Sequence, residues 1–424
     1  NGTDGFLDDW RNGYYRMLDD HREEDRLEAE RGAAGEDEAT STRLFVAFVV
    51  LVVPLAAFQA EIAAVETAAA AEEDTGDGTP EELEFLFYGG ADPRQVLFDI
   101  VASINRGEAH ESATRIWGDL NLLGIEKRDD DGNLTGTRPI GIPAAIRRLA
   151  NRVLMKHRSA DMCDLFTGGT PDMRRTVRDG MREICLRPTE DGGLGMSAEE
   201  AEARVKACNI PLQVGVGLAG GAEVAIQLLQ EHLRRNPGHA IASDDKRNGF
   251  NCISRKAIFA GLRRWFPELI PTVALWYSEQ RRLFLFNAEA RCSSGDTFMS
   301  TEGCAQGDPL GPFLFAVGYH WTLLEMQVRN PSALICAYLV DDTCVADAPR
   351  AALETMLEGD DLAQLWSGVE SNKSKRCMWA PDPRSLDAVR DRHVRIGAVV
   401  SEQRLARLDV DRADRVAQPQ RGAD

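Results

Sequence analysis

The stretch Leu334–Asp347, LICAYLVDDTCVAD, constrains the fold more than any other. Two apolar, β-prone runs flank Asp341-Asp342 with no room for a long loop, which predicts a β-hairpin with an acidic turn. Tight two-residue turns ordinarily take Asn-Gly or Asp-Gly, because those residues accept positive φ. Two adjacent carboxylates instead repel one another. A nearby cation offsets that cost, and a hard, oxygen-seeking ion such as magnesium suits it. Taken alone, a solvated acidic turn remains the plain alternative.

Two further segments bear on that turn. In His239–Ser254, HAIASDDKRNGFNCIS, a short apolar approach (240–242) delivers Asp244 and Asp245 to the end of a strand. Phe250 follows five residues after Asp245, and a helix is expected over Ser254–Phe266, with Ser254 as its N-cap. In Thr301–Phe315, TEGCAQGDPLGPFLF, Gly303, Gly307, Gly311, Pro309 and Pro312 form an irregular approach to an apolar helix, Phe313–Leu324. Gln306 and Gly307 lie where missing side-chain bulk lets the backbone approach a flat ligand. Each segment alone has an ordinary reading, an acidic strand end or a Gly/Pro loop that caps a helix. Their order is more specific: Gln306 follows Asp245 by 61 residues, and Asp341 follows 35 further on. Two carboxylate sites meeting in space would support two divalent ions about 4 Å apart, which activate an attacking oxygen and stabilise a leaving one.

Charge separates the chain into two parts. Residues 1–90 hold 22 Asp+Glu against 6 Lys+Arg, so −16 of the net −19 lies there and the other 334 residues are near neutral. A neutral body neither requires nor excludes nucleic acid, since a basic channel coexists with acidic outer faces. The nine cysteines form no CxxC pair and no His stands at zinc-ligand spacing from them, a pattern of reduced thiols in the cytoplasm or nucleus. Leu44–Phe58 is an uncharged run of 15 residues interrupted by Pro54, short of the ~20 that span a bilayer. A membrane anchor and a buried or interfacial helix both stay open for it. Residues 74–82 have linker composition. From Glu84 the pattern turns globular: helices are expected over Val96–Asn105 and Ser112–Leu123. A strand–turn–strand unit follows around DDDGNLTG (129–136), and then a basic amphipathic helix over Ala144–Lys156. Residues 158–209, polar and broken by Gly and Pro, read as an insertion.

The three blocks resemble the reverse transcriptase family, especially the non-LTR retrotransposon type. DKRNGFNCISR (245–255) resembles its first palm motif, D-x-K-N-A-F-N-x-x-S-R, with Gly249 in place of the usual Ala. GCAQGDPLGPFLF (303–315) is similar to its G-x-x-Q-G-D-P-L-x-P-x-L-F block, and LVDD (339–342) to its x-x-D-D turn, with Leu339 where an aromatic is commoner. RPIGIPAAIRRLANRVL (138–154), QVGVGLAGGAEVAI (213–226), NKSKRC (372–377) and VRIGAVV (394–400) resemble flanking family segments, Ile396 taking the place of a Leu.

The resemblance implies an α/β (α+β) right-hand polymerase fold, with an antiparallel-sheet palm and N-terminal fingers. It divides the chain into an acidic extension (1–83), fingers with an insertion at 158–209 (84–238), palm (239–400) and a short tail (401–424). The thumb is expected to be largely missing, as in a partial or decaying element. By the same resemblance Asp245, Asp341 and Asp342 are catalytic and hold two Mg2+ ions, Asp245 and Asp341 bridging both and Asp342 supporting near the primer end, with Mn2+ as the alternative metal. Asp244 competes with Asp245, but the five-residue gap to the aromatic favours Asp245. Phe250 corresponds to a steric gate against the ribose 2′-hydroxyl. Gln306 and Gly307 line the nucleotide pocket, Lys375 and Arg138 face the triphosphate, and Arg147, Arg148 and Arg152 contact template. The implied partners are an RNA template, a DNA or RNA primer and dNTPs. Two rivals stand beside this reading: a catalytically dead relative that only binds nucleic acid, and an RNA-dependent RNA polymerase, against which Phe250 argues.

Overall fold

The computed structural model of the chain describes residues 93–128, 132–189, 193–287, 292–339, 341–389 and 399–400. The acidic extension, Leu44–Phe58, the 74–82 linker, Ile396 and the 401–424 tail lie outside the described residues. Among the described residues no helix is long and apolar enough to cross a membrane. Cys163, Cys185, Cys208, Cys252, Cys304, Cys336, Cys344 and Cys377 carry free thiols.

The chain divides into two compact units, residues 1–114 with 271–279 and residues 115–270 with 280–424. In the first, helix α1 (Pro93–Asn105) follows the predicted helical spacing and buries Val101 and Ile104. The Asn105 carbonyl accepts a hydrogen bond from Thr272 Oγ1 at 2.6 Å. Gly107 follows at φ +72°, where a Cβ would stand 2.4 Å from Pro271 Cβ, so both conformation and space require glycine.

Along the chain come α2 (Glu111–Trp117), β1 (Leu120–Arg128), β2 (Leu134–Pro143), α3 (Ala145–Thr167), α4 (Pro171–Leu186), α5 (Ala198–Ala207) and β3 (Leu212–Gln213). Next are α6 (Gly221–Arg235), β4 (Ala240–Asp245), α7 (Gly249–Cys252), α8 (Arg255–Trp265), α9 (Ile270–Tyr277), β5 (Arg281–Asn287) and β6 (Cys292–Ser300). Then follow α10 (Gly311–Arg329), β7 (Leu334–Leu339), β8 (Asp342–Asp347), α11 (Pro349–Leu362), β9 (Cys377–Trp379) and β10 (Val399–Val400).

In the second unit one sheet has the order β2-β1-β5-β6 and the other β10-β9-β4-β8-β7-β3. The expected strand–turn–strand unit is the antiparallel pair β1–β2, in register from Leu120↔Pro143 to Lys127↔Gly136, with a bulge before Arg128↔Leu134. The second sheet is antiparallel through β9-β4-β8-β7, but β3 and β10 join its edges in parallel. The α/β class therefore holds, with a mixed sheet where a wholly antiparallel one was expected.

One local expectation is corrected. Helix α2 stops at Trp117, short of Leu123, because Leu120–Leu122 pairs in parallel with Leu283–Leu285 of β5. Residues 158–209, read as an insertion, are largely helical: α3 runs on to Thr167, and α4 and α5 follow with Val177, Met181, Ile184, Cys185, Ala201 and Val205 buried. Ser197 closes a reciprocal capping box with Glu200 at the start of α5, satisfying backbone donors that would otherwise lack partners.

Helix α10 is apolar nearly all round and buried from Phe313 to His320, as such a helix must be. It packs against α4, α8 and α11 and forms the centre of the unit. On one face of the second sheet, Leu229 and Leu233 of α6 cover Ile241, Cys344 and Ala346. On the other, α11 packs against β4 and β8.

Candidate active site

Strand alternation decides which side chains meet. Asp245 of β4 lies directly opposite Asp342 of β8, two cross-strand pairs beyond Ser243↔Cys344 on the same ladder. Side chains two residues apart share a face, so Ile241, Ser243 and Asp245 line up with Ala346, Cys344 and Asp342. Helix α6 covers the Ile241 end of that face, and the carboxylates take the other end. Asp341 sits in the turn that precedes β8, as the acidic-hairpin reading predicts. Its Cβ would lie 3.2 Å from a Cβ added to Gly249, which brings the 245–250 segment onto the turn.

The charges there are crowded. The Asp342 carboxyl is pushed up to about 7, by burial first and then by Asp245 and Asp341. Burial also raises Asp341 above the ordinary carboxylate range, and Asp245 adds to it, while Lys375 and Arg138 pull the other way. Lys375 Nζ stands 2.6 Å from Asp245 Oδ2, and Asn372 Nδ2 donates to the same oxygen at 3.3 Å. The Asn372 amide donates to the Asp245 carbonyl at 2.7 Å. The NKSKRC segment therefore brings Lys375 to the carboxylates.

Asp244 faces the other way. Its side chain is 3% exposed and lies 2.5 Å from Lys246 Nζ, 2.5 Å from Ser371 Oγ and 3.2 Å from Arg376 Nε. Asp360 of α11 completes the cluster, paired with Arg376, Ser371 and Lys246. Burial alone would depress the Lys246 ammonium, but Tyr319 and Asp244 outweigh it and hold the group above its ordinary value. Asp244 is thereby a buried ion-pair partner on the face opposite Asp245. Sequence reading passed over Lys246, Asp360, Ser371 and Arg376. The one local signal was a charged residue on each side of Asp245.

The Gly/Pro block folds onto this corner. The Cys304 amide donates to the Phe250 carbonyl at 2.8 Å, and Gly303 (φ +72°) lies so close to Asn251 that a Cβ would stand 2.4 Å from its carbonyl oxygen. Phe250 is half-buried, its ring stacked on Phe315 at 5.5 Å between centroids. Gln306 and Gly307 are half-buried, and a Cβ on Gly307 would meet the Gly141 carbonyl oxygen at 2.5 Å. Gly307→Ala must therefore push the block away from β2. We expect it to cost about 1–3 kcal/mol in urea unfolding; an unchanged midpoint would refute the tight contact.

The basic residues separate. Arg138 is exposed on β2, close enough for its charge to act on Asp341. Arg148 and Arg152 are exposed one turn apart on α3. Arg147, expected on the template, is corrected: it is 1% exposed and its guanidinium bonds Asp308 Oδ2 at 2.5 Å and the Gly118 carbonyl at 2.9 Å.

Among the described residues, no group of three or more His, Cys, Asp or Glu side chains is drawn together as metal ligands. The donor set nevertheless fits a hard cation in chemistry: oxygen-only carboxylates, partly buried and mutually repelling, with Asp245 and Asp342 in hydrogen-bonding reach.

No family profile matches the sequence. A curated relative, the retrotransposable element SLACS 132 kDa protein of Trypanosoma brucei gambiense, is 34% identical over 167 residues, 39% of this chain. The chain spans 13% of that protein's length. The relative is thus a product of a retrotransposable element, the class implied by the motif resemblance. Among solved structures, apo telomerase from Candida tropicalis truncated from its C-terminal domain aligns at TM-score 0.36 and 12% identity, covering 62% of this chain and 50% of that one. Telomerase from Candida albicans with a TWJ fragment of telomeric RNA aligns at TM-score 0.31 and 12% identity, over 68% and 46%.

Proposed function

We propose that residues 115–400 carry the polymerising centre of a retrotransposon-type reverse transcriptase, an RNA-directed DNA polymerase. The observation that supports the reading is that Asp245 and Asp342, 97 residues apart in sequence, face each other across β4 and β8, with Asp341 in the adjoining turn near enough for its charge to act on both. In this reading β4, β7 and β8 belong to the palm, and β1, β2 and α3 to the fingers. The 34% identity to a retrotransposon protein supports the same assignment.

Asp245, Asp341 and Asp342 would hold divalent cations, magnesium by their oxygen chemistry. Such ions supply activation of the primer 3′-oxygen and stabilisation of the leaving pyrophosphate. The remaining work falls to the chain. Lys375, beside Asp245, offers a positive charge to the triphosphate, and Arg138 offers another from β2. Gln306 and Gly307 line the nucleotide and template base. Arg148 and Arg152 present charge to the template backbone, where contact is independent of sequence.

Phe250 is the proposed sugar gate. Its ring is braced by Phe315, so it has little freedom to swing away from a 2′-hydroxyl. Phe250→Val should raise ribonucleotide incorporation relative to deoxyribonucleotide by at least ~10-fold in kcat/KM. Equal discrimination in variant and wild type would remove Phe250 from that role and reopen the RNA-polymerase alternative.

The deciding experiment is extension of a primed RNA template with dNTPs and magnesium, with Asp341→Asn as the control. Product above that control supports the enzyme; its absence leaves the nucleic-acid-binding relative as the better account.

A further inference from the structure

We infer that the largely buried ion cluster behind β4, formed by Asp244, Lys246, Asp360, Ser371 and Arg376, is the positioning device that fixes Lys375 against Asp245. This inference rests on the polymerase reading for its kinetic consequence alone.

Three pairs of sequence neighbours carry the argument. In each pair one side chain enters the cluster and the other reaches the carboxylate site: Asp244 and Asp245, Ser371 and Asn372, Arg376 and Lys375. The buried Arg376–Asp244 contact at 3.2 Å is the rear counterpart of the front Lys375–Asp245 contact at 2.6 Å. The front pair is weak by itself, because the Lys375 side chain is 48% exposed and solvent screens it. The rear pair is different, with both side chains 3% exposed.

Backbone contacts transmit the hold. Lys246 and Ser371 form an isolated antiparallel bridge, and the Arg247 amide donates to the Glu370 carbonyl at 2.8 Å. The 370–376 segment therefore lies along the end of β4 at a spacing set from behind. Charge is balanced within the cluster, two carboxylates against one ammonium and one guanidinium, so the whole can stay buried and ionised. Lys246 also stands 5.7 Å from the centroid of the Tyr319 ring on α10, which anchors the cluster in the centre of the unit.

The test uses the full chain and a charge-neutral double substitution, Asp244→Asn with Lys246→Met, which removes one charge of each sign. Hydrogen exchange in the ligand-free protein is read at the Asn372 and Lys375 amides, and kcat/KM for dNTP is read in primer extension. We expect the double variant to keep its fold while exchange at those amides rises at least ~10-fold and kcat/KM falls about 10- to 100-fold. Adding Lys375→Ala should then lower kcat/KM little further, because the cluster acts through that lysine. Unchanged exchange, or losses that multiply, overturns the inference. Should the double variant not fold, Arg376→Lys keeps the charge, loses the two-sided fork, and is read the same way. If the wild type extends no primer, the polymerase reading fails, and the exchange comparison still decides whether the cluster holds the segment.

Discussion

Asp342→Asn is expected to abolish primer extension, by at least ~1,000-fold, and at the same time to stabilise the metal-free protein above neutral pH. The two effects have one cause. Asp342 lies opposite Asp245 and beside Asp341, partly buried, and its carboxyl is pushed up to about 7. In the unfolded chain the same group titrates near 3.9. Below that value both states hold the proton and the group contributes nothing. Between about 4 and 7 the unfolded chain has lost the proton while the folded one keeps it, so stability falls as pH rises. Above about 7 both are ionised and the penalty is complete. Asparagine mimics the protonated form and removes the penalty. At pH 8 the gain is about 2 kcal/mol once partial exposure and the nearby lysine are discounted, or a few degrees in Tm. At pH 4 the gain should vanish. Magnesium adds a third reading: it should raise the Tm of the wild type and leave that of the variant nearly unmoved. Parallel pH profiles of the two proteins would mean that Asp342 is not held among like charges, and the proposed site would fall with it.

What the sequence made legible followed local periodicity. The acidic hairpin, the β1–β2 pair, α1 and α8 all appear where apolar spacing and turn residues put them. The five-residue gap to Phe250 favoured Asp245 over Asp244, and the structure puts the two on opposite faces of β4. What stayed hidden depended on distant partners. Helix α2 was overextended because the strand that claims Leu120–Leu122 lies more than 160 residues away. The Asp244 cluster draws on Arg376, 132 residues on, and nothing near Asp244 announces it. Helix α4 is a different failure. Val177, Met181, Ile184 and Cys185 keep helical spacing, but Arg and Glu between them masked the stripe. Arg147 and Arg148 show the limit of such reading, since two adjacent arginines on one helix divide between core and solvent by docking alone.

That division yields the largest stability effect expected here. Asp308 is 2% exposed, and both its oxygens are engaged: Arg147 Nη2 at 2.5 Å and Nε at 3.2 Å on Oδ2, Asn151 Nδ2 at 2.8 Å and the Leu310 amide at 3.0 Å on Oδ1. Asp308→Ala would leave a guanidinium buried without its carboxylate, a loss of about 3–5 kcal/mol. Arg147→Met should cost a similar amount by stranding the carboxylate. Replacing both, with Arg147→Met and Asp308→Leu, should recover much of the loss, because neither charge is then left alone in the interior. Urea melts of the three proteins make the comparison. The effect should reach function, since Gln306 and Gly307 immediately precede Asp308 and move with it. Template affinity separates the two neighbouring arginines. Arg148→Ala should weaken RNA binding and lower its salt dependence by about one phosphate contact. Arg147→Met, if it folds at low temperature, should leave that slope unchanged. A mild melt for Asp308→Ala, within about 1 kcal/mol of wild type, would contradict the buried pair. A reduced salt slope for Arg147→Met would return that residue to the template.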